Sequence, residues 1–414
     1  SFLISDGPLQ PGAYRFTALT NLTDTSGTRL ASNYVRRFVI TGVPGYVNEN
    51  RNNGSAGGAT SFSWASNPQP DGSFTAGLSV GLPSDPEYVA TGHLDSDTNL
   101  DLVIPSYGNS TISVYAGNGN GTFQLRTNFA GGNGGLTPVL ADFNHDGHLD
   151  LAVGDYLAHT ISIYLGGGDG PFARVTNYAV GARPVGMAAA DFNQDGRIDL
   201  ACANYNGNSV SVLLGNGDGT FLAAVHYAVP GSPHGIATGD LNGDGRPDLL
   251  TANYNTDNLT LLLGNGDGTF AVSGHLAVNG NPRDVAIADF NGDERPDLVS
   301  ANYDNTVSIL FGNGDGTFQA RVNYGTGGQN QYQVLAEDWN GDGRLDLAVS
   351  AFDSARVSVL LNRGDGRFEP APAYQVNSQP LGMAAGDFNR DGRKDLVVVH
   401  YGADNFLVLF GNDS

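Results

Sequence analysis

Residues 240–249 have the sequence Asp-Leu-Asn-Gly-Asp-Gly-Arg-Pro-Asp-Leu, and this acidic stretch decides the fold because it recurs at a fixed spacing. The pattern D-x-N-x-D-G-x-x-D-L is found seven times, 49 residues apart, with first positions at His93, Asp142, Asp191, Asp240, Asp289, Asp338 and Asp387. A fixed period of this kind is typical of repeat architectures, in which one supersecondary unit is copied along the chain. We therefore expect residues 71–414 to consist of one unit repeated seven times.

Each repeat contains four short strand-like runs, joined by turns rich in glycine, aspartate and asparagine. In the third repeat these runs lie at residues 184–190, 200–205, 209–214 and 225–229. Four antiparallel strands per unit, repeated seven times, predict an all-β fold and more specifically a seven-bladed β-propeller.

The two ends of the repeat region predict how the ring closes. The last repeat stops after its third strand, at residues 406–412, and residues 71–74 match residues 120–123 of the following repeat. An open solenoid has no reason to begin and end at complementary points. The N-terminal strand is therefore predicted to complete the last blade.

The composition excludes two classes of partner. The 414-residue chain has a net charge of −22 and a single lysine, so no basic face is expected for a nucleic acid. No apolar run approaches the roughly 18 residues of a membrane span. The one cysteine, Cys202, lies in an apolar strand pattern and is expected to be a buried packing residue without a disulfide.

The acidic loops are predicted to bind Ca²⁺. Oxygen ligands at positions 1, 3, 5 and 9, with a backbone carbonyl at position 7, can surround a hard cation, and glycine at position 6 permits the sharp turn. Donors that are all oxygen favour Ca²⁺ over zinc or copper. The alternative is an Asx turn, in which aspartate and asparagine bond only to their own backbone. The predicted ligands are Asp95, Asp97, Asp101, Asp142, Asn144, Asp146, Asp150, Asp191, Asn193, Asp195, Asp199, Asp240, Asn242, Asp244, Asp248, Asp289, Asn291, Asp293, Asp297, Asp338, Asn340, Asp342, Asp346, Asp387, Asn389, Asp391 and Asp395.

Two loops depart from the pattern, so six or seven ions are expected rather than a strict seven. The first loop has His93 at position 1 and Thr98 at position 6, which predicts a weak or empty site. The fifth loop has Glu294 in place of glycine at position 6, which predicts a less favourable backbone geometry.

The tandem loops, together with turns such as Phe-Gly-Asn-Gly-Asp-Gly at residues 311–316, resemble FG-GAP/VCBS repeats, the family that also builds the propeller of integrin α-subunits. The resemblance covers about residues 71–414. It implies a Ca²⁺-stabilised propeller in an exported or cell-surface protein, often one that acts in adhesion or glycan recognition. Some propellers of similar appearance are polysaccharide lyases.

Glycine-rich turns of the form Gly-Asn-Gly-Asp-Gly recur at residues 215–219, 264–268 and 312–316. Phosphate-binding loops of similar composition require a following helix N-terminus. A strand-like run follows each of these turns instead. We interpret them as hairpin turns.

An Asn-Tyr pair or a variant of it ends the second strand of most repeats. Because neighbouring strands alternate in direction, these turns are predicted at the end of the disc opposite the acidic loops. Tyrosine with asparagine suits ligand binding, but the same residues can fill the gap between blades and cap the turn, and both interpretations are open. The residues of the predicted ligand face are Tyr107, Tyr156, Asn204, Tyr205, Asn253, Tyr254, Asn302, Tyr303 and Tyr401.

Residues 1–45 precede the repeats and contain strand-like runs at residues 2–4, 14–18 and 34–40. Their order L-x-P-G-x-Y, L-x-D-x-x-G-x-x-L and F-V-I-T resembles the last strands of bacterial Ig-like domains. Three strands do not complete a sandwich, so we predict a partial Ig-like segment whose edges can pair with another copy, giving a homo-oligomer or filament. Residues 46–70 are predicted to be a linker.

No catalytic constellation is found in the sequence. The eight histidines form no zinc motif, and residues 231–235 do not form a nucleophile elbow. We therefore predict an exported or cell-surface bacterial protein that is not an enzyme but a structural or adhesive module binding other protein chains. The alternative is a lectin, with sugars at blade junctions or on the Asn-Tyr face. A polysaccharide lyase is a third hypothesis.

Overall fold

The computed structural model is all-β in the residues that it describes, which are 12–18, 34–40, 72–371 and 373–412. The chain divides into two units, residues 1–69 and residues 70–414.

In the first unit, strands β1 (Gly12–Ala18) and β2 (Tyr34–Ile40) form an antiparallel pair, with Gly12 opposite Ile40. Both strands fall where strand-like runs were predicted. The run at residues 2–4 and the linker at residues 46–70 lie outside the described residues. One strand pair does not establish an Ig-like domain, so that part of the interpretation stays a prediction.

In the second unit, seven antiparallel sheets of the same topology form the blades of a β-propeller, as predicted. In the first three blades the strands are β4 (Ala90–Gly92), β5 (Asp101–Ser106), β6 (Thr111–Gly117) and β7 (Phe123–Ala130); β8 (Gly135–Ala141), β9 (Asp150–Asp155), β10 (Thr160–Gly166) and β11 (Phe172–Ala179); β12 (Pro184–Ala190), β13 (Asp199–Asn204), β14 (Ser209–Leu213) and β15 (Val225–Ala228).

The remaining blades follow the same plan. In blade six the outer strand is divided into two pieces, Phe368–Pro370 and Tyr374–Gln375, which both pair with the third strand, Arg356–Asn362. The strands are β16 (Pro233–Gly239), β17 (Asp248–Asn253), β18 (Asn258–Gly264) and β19 (Phe270–Ala277); β20 (Pro282–Ala288), β21 (Asp297–Asn302), β22 (Thr306–Leu310) and β23 (Val322–Gly325); β24 (Gln331–Glu337), β25 (Asp346–Ala351), β26 (Arg356–Asn362), β27 (Phe368–Pro370) and β28 (Tyr374–Gln375); β29 (Pro380–Gly386), β30 (Asp395–His400) and β31 (Asn405–Gly411), completed by β3 (Phe74–Gly81).

The ring closes as the repeat phase predicts. Strand β3, from the start of the propeller, pairs antiparallel with β31 at its end, so that Phe74 lies opposite Gly411. The Phe74 ring is buried, with its centroid 5.5 Å from the Trp339 ring and 5.3 Å from the Tyr374 ring. The pairing of β3 with β31 and the packing of Phe74 on blade six therefore hold the last blade in place.

The hydrophobic core lies between neighbouring blades, because each sheet packs face to face on the next. Second strands are buried along their whole length; in β13 every residue from Asp199 to Asn204 is buried. One cluster joins Val210 and Val212 of blade three to Leu249 and Leu262 of blade four. Such a core needs closure, since an open end would leave one apolar blade face in water.

Cys202 is fully buried in the interface between blades two and three, where it packs with Met187 and Leu213. Burial raises the pKa of its thiol above the ordinary range. The prediction of a packing residue is confirmed.

Candidate functional site

The seven acidic loops lie at one end of the propeller, because each joins the first strand of a blade to the second. In the third loop, Asp191 accepts hydrogen bonds from the backbone N–H of Asp195 (3.0 Å) and of Gly196 (2.7 Å). Asn193 Oδ1 accepts a second bond from the Asp195 N–H (3.0 Å). Asx-turn bonding, the alternative to cation binding, is thus a real part of the loop. A carboxylate has about four acceptor positions, so these bonds leave room for a cation.

The aspartate at position 9 is the most buried member of each loop. Asp199 accepts hydrogen bonds from the backbone N–H of Phe192 (2.9 Å) and, across the blade, of Gly215 (2.7 Å). Burial raises the pKa of its carboxyl to about 6, and that of Asp346 in the sixth loop to about 7. Equivalent pairs of bonds are made by Asp101, Asp150, Asp248, Asp297, Asp346 and Asp395.

The donor set of the loops fits a hard divalent cation, because every predicted side-chain ligand offers oxygen. The first loop, which was expected to be weak, still places one carboxylate oxygen each from Asp95, Asp97 and Asp101 within 4.8 Å of one another. This loop has His93 instead of aspartate at position 1, but it has Asp95 at position 3, where the other loops have asparagine. It therefore still contains three carboxylates. The Arg126 guanidinium contacts Asp95 and so competes with a metal for that carboxylate.

Each acidic loop is also part of the contact with the next blade. The residue at position 2 of the third loop, Phe192, places its ring 5.4 Å from the Phe270 ring of blade four. Its carbonyl accepts a hydrogen bond from the backbone N–H of Gly268, 3.1 Å away in a hairpin turn of that blade. A bound cation that orders the loop would therefore also stabilise the contact between this blade and the next.

The fifth loop keeps the common geometry although it lacks glycine at position 6. Glu294 has a φ of 64°, and its N–H donates to Asp289 Oδ2 at 2.8 Å, as the glycine N–H does in the neighbouring loops. The less favourable geometry that was predicted for this loop is thus confined to the backbone of Glu294, and the loop keeps its hydrogen bonds.

Replacing Glu294 with glycine should raise the free energy of unfolding by about 0.5–1 kcal/mol, since a side chain in the left-handed region costs about that much after the entropy of glycine is counted. Chemical denaturation measures the change. The reverse substitution in the fourth loop, Gly245→Glu at a φ of 78°, is the matched control and should destabilise. A loss of stability in E294G would contradict this account of the loop.

At the opposite end, a central cavity of about 490 Å³ lies on the axis of the ring. Every blade contributes to its wall, which is formed by Glu87, Tyr107, Leu136, Tyr156, Arg183, Val185, Tyr205, His234, Tyr254, Arg283, Tyr332 and Tyr401. We call this space the axial cavity.

Five of the predicted ligand-face tyrosines line the axial cavity. Their rings follow one another around it, with centroids 6.0 Å apart for Tyr107 and Tyr156 and 6.2 Å apart for Tyr205 and Tyr254. Tyr303 stands beside this ring, 6.3 Å from Tyr254 and 40% exposed. The tyrosine turns therefore face a cavity rather than only the gap between blades.

The asparagines of the predicted ligand face occupy a different place, and that part of the prediction needs correction. Asn204, Asn253 and Asn302 are fully buried. The Asn204 amide donates to the hydroxyls of Ser209 (3.1 Å) and Ser211 (2.8 Å), which caps the turn. The second strand is covered on both faces, so its last side chain is enclosed by the sheet and is not presented to a ligand.

One position near the start of each blade was not predicted: it is Glu87, ahead of β4, in blade one and the second residue of the first strand in the other six blades. In blades one to six this residue forms the inner wall of the axial cavity. A β-bulge at the start of these strands shifts the register, in blade five between Pro282 and Asp284. A comparison of the repeats would have found the position, because its chemistry changes from copy to copy: Glu87, Leu136, Val185, His234, Arg283, Tyr332 and Leu381.

The glycine-rich turns are hairpins between third and fourth strands, as interpreted. In the third blade Asn216 N–H donates to the Thr220 carbonyl (2.8 Å), and Asp218 accepts a bond from the Thr220 N–H (3.0 Å). Gly217 and Gly219 have φ values of 76° and 80°, which only glycine adopts freely.

No helix that is long and apolar enough to cross a membrane is found among the described residues.

Comparison with known proteins agrees with the architecture. Two integrins of Drosophila melanogaster, alpha-PS3 and alpha-PS5, are each 36% identical over 84 residues. The aligned segment covers 16% of this chain and only 7% and 8% of those integrins.

Two solved structures share the fold of this chain at low sequence identity. BBS1N, crystallised in complex with ARL6DN, superposes with a TM-score of 0.60 at 12% identity, covering 82% of this chain and 98% of its own. A lectin of Agrocybe aegerita that recognises non-reducing terminal N-acetylglucosamine gives a TM-score of 0.52 at 22% identity, covering 80% of this chain and 87% of its own.

The FG-GAP-like repeat matches six overlapping segments that run without a gap from the first acidic loop into the last blade: 93–153, 142–202, 191–251, 240–300, 289–349 and 338–398. With this match, the seven-bladed ring and the likeness to integrin α-subunits, the chain belongs to the FG-GAP-like repeat family.

Proposed function

We propose that this propeller is a Ca²⁺-stabilised interaction module of an exported or cell-surface protein, and that it binds its partner through the axial cavity. The observation that carries the proposal is the convergence of all seven blades on one cavity walled by six tyrosines. Concave sites with aromatic walls and a few polar groups are the usual form of binding sites.

Calcium has a structural role in this proposal. The loop residues at positions 1, 3, 5 and 9 would hold the ion, which supplies positive charge among the clustered carboxylates. Because the loops and the axial cavity lie at opposite ends of the blades, we do not expect the ion to contact a ligand in the cavity. The ions would act by ordering residues such as Phe192, which bind the next blade.

Two partner classes are compatible with such a module. In the adhesive interpretation the partner is another protein chain, and strands β1 and β2 add a sheet edge that can pair with a second copy. In the lectin interpretation the partner is a glycan, which the tyrosine faces and the polar groups of the axial cavity favour. A glycan array with and without calcium separates them: binding favours the lectin, whereas silence together with oligomer formation in size-exclusion chromatography favours the adhesive module.

A double variant, Tyr205→Ala with Tyr254→Ala, should weaken binding of any array hit by at least about tenfold, because aromatic side chains at the centre of a site carry much of the binding energy. The melting temperature should change little, since both rings face the cavity. Phe352→Ala, at the equivalent turn of blade six but outside the cavity wall, is the matched control. Equal affinity of the double variant and the control would contradict binding at the axial cavity.

A further inference from the structure

The inner wall of the axial cavity differs from the rest of the repeat in its chemistry. Second-strand positions of the repeats keep similar apolar residues because packing between blades restricts them. The position equivalent to Arg283 escapes this restriction, because in blades one to six it faces the cavity. It is polar or aromatic in blades four, five and six (His234, Arg283 and Tyr332) and in blade one (Glu87), and aliphatic in the others. The cavity thus has a polar side and an apolar side.

Arg283 is the distinctive group of the polar side. Its guanidinium carbon lies 5.3 Å from the ring centre of Tyr254, 5.3 Å from that of Tyr303 and 5.0 Å from that of Tyr332. These rings stabilise the cation through their faces. Its buried Nε has no hydrogen-bond partner, and no carboxylate lies within ion-pair distance among residues 72–371 and 373–412.

A guanidinium that stacks on aromatic rings and is not engaged by a carboxylate can bind a planar anion. Two parallel N–H groups of arginine match the two oxygens of a carboxylate. A second cation, Arg183, lies in the same wall, stacked 5.0 Å from the Tyr156 ring centre and donating to the Tyr156 hydroxyl at 3.1 Å. The cavity therefore offers positive charge without an internal counterion in contact with Arg283.

The neighbouring groups are suited to hydroxyls. His234 Nδ1 donates to the Arg283 carbonyl at 2.9 Å, which leaves Nε2 as an acceptor. Burial lowers the pKa of His234 to about 3, so the ring is neutral. Glu87 accepts a hydrogen bond from the Tyr332 hydroxyl at 3.1 Å, and burial raises the pKa of its carboxyl to about 7. Donors and acceptors thus surround the cation within a volume that suits a sugar unit or two.

We propose that the axial cavity binds an acidic sugar, with the sugar carboxylate on the Arg283 guanidinium, its ring face on Tyr205 or Tyr254 and its hydroxyls on His234 and Glu87. The inference rests on the proposed function, which places the binding site in this cavity. A sugar is favoured over an acidic peptide because the tyrosine hydroxyls, Glu87 and His234 around the cation match a ligand with several hydroxyl groups.

The test compares D-galacturonate and D-glucuronate oligosaccharides with their neutral galactose and glucose counterparts by isothermal titration calorimetry, using the full chain with calcium. We expect the acidic sugars to bind and the Arg283→Gln variant to weaken that binding about 10- to 100-fold, the loss expected for a charge-assisted hydrogen-bond pair. Arg283→Lys keeps the charge but loses the two parallel donors. Its affinity for the acidic sugars should lie between that of the unmodified protein and that of Arg283→Gln. Arg321→Gln, just before the outer strand of blade five, removes the same charge outside the cavity and should bind as the unmodified protein does.

Three outcomes would overturn the inference. Neutral and acidic sugars could bind equally and without dependence on Arg283, which leaves the axial cavity as a binding site but removes the acidic ligand. Poly-glutamate peptide could bind in an Arg283-dependent way while no sugar does, which assigns the cavity to a peptide. No binding of any probe, with melting temperatures of the variants unchanged, would remove the anion site, whereas the proposed function is judged separately by the tyrosine variants.

Discussion

Excess EDTA is expected to lower the melting temperature of this protein by on the order of 10 °C. Extracellular Ca²⁺ modules bind the ion with dissociation constants of about 10⁻⁴–10⁻³ M. At about 1 mM free Ca²⁺ each such site adds about 0.4–1.4 kcal/mol to the free energy of unfolding, and seven sites together add about 3–10 kcal/mol. The effect reaches the whole ring because the loops bind the next blade through residues such as Phe192 and its carbonyl.

Differential scanning calorimetry in EDTA, in EDTA followed by excess CaCl₂, and in EDTA followed by excess MgCl₂ measures this effect. Calcium should restore the original melting temperature. Magnesium should restore less of it, since it demands octahedral geometry and gives up water reluctantly. A melting temperature that is the same in calcium and in chelator would mean that the Asx turns alone hold the loops.

Phe74→Ala is expected to cost about 3–5 kcal/mol of stability, the usual loss for a buried phenylalanine. Phe74 begins the strand that closes the ring, and its ring packs edge-on against Trp339 and Tyr374. The substitution therefore leaves a cavity where the two ends of the propeller meet. Chemical denaturation followed by tryptophan fluorescence measures the loss, because Trp339 reports on this contact.

Leu78→Ala is the matched control for the closure, since Leu78 lies on the same strand but is 66% exposed. Its stability should stay within about 0.5 kcal/mol of the unmodified protein. If Phe74→Ala and Leu78→Ala both unfolded at the same denaturant concentration as the unmodified chain, β3 would contribute nothing to the stability of the ring.

Blade number, strand order and ring closure were predictable because each follows from the phase of a 49-residue period. The match of residues 71–74 to residues 120–123 predicts the strand that closes the ring. The structure gives both phenylalanines the same register, with Phe74 opposite Gly411 and Phe123 opposite Gly117. Apolar and turn residues favour the same strands and turns in each copy, so all seven copies support the prediction of one blade structure.

The site was less predictable, for reasons that lie in the strands themselves. The sequence predicted that Asn204 contacts a ligand. Neighbouring blades cover both faces of its strand, so the side chain is buried and its amide instead donates to the hydroxyls of Ser209 and Ser211. The position of Arg283 in the cavity wall could not be predicted from the sequence. A β-bulge between Pro282 and Asp284 interrupts the simple alternation of inward and outward side chains. Comparison among the copies, rather than the pattern within one copy, identifies such positions.

The central claim is that a divalent ion in each acidic loop fastens a closed seven-bladed ring, and counting bound calcium tests it most directly. Isothermal titration of chelator-stripped protein should give six or seven Ca²⁺ per chain, one for each loop of the repeat. A double variant, Asp240→Asn with Asp244→Asn, should bind one ion fewer. Absence of calcium binding at millimolar concentration would contradict the account.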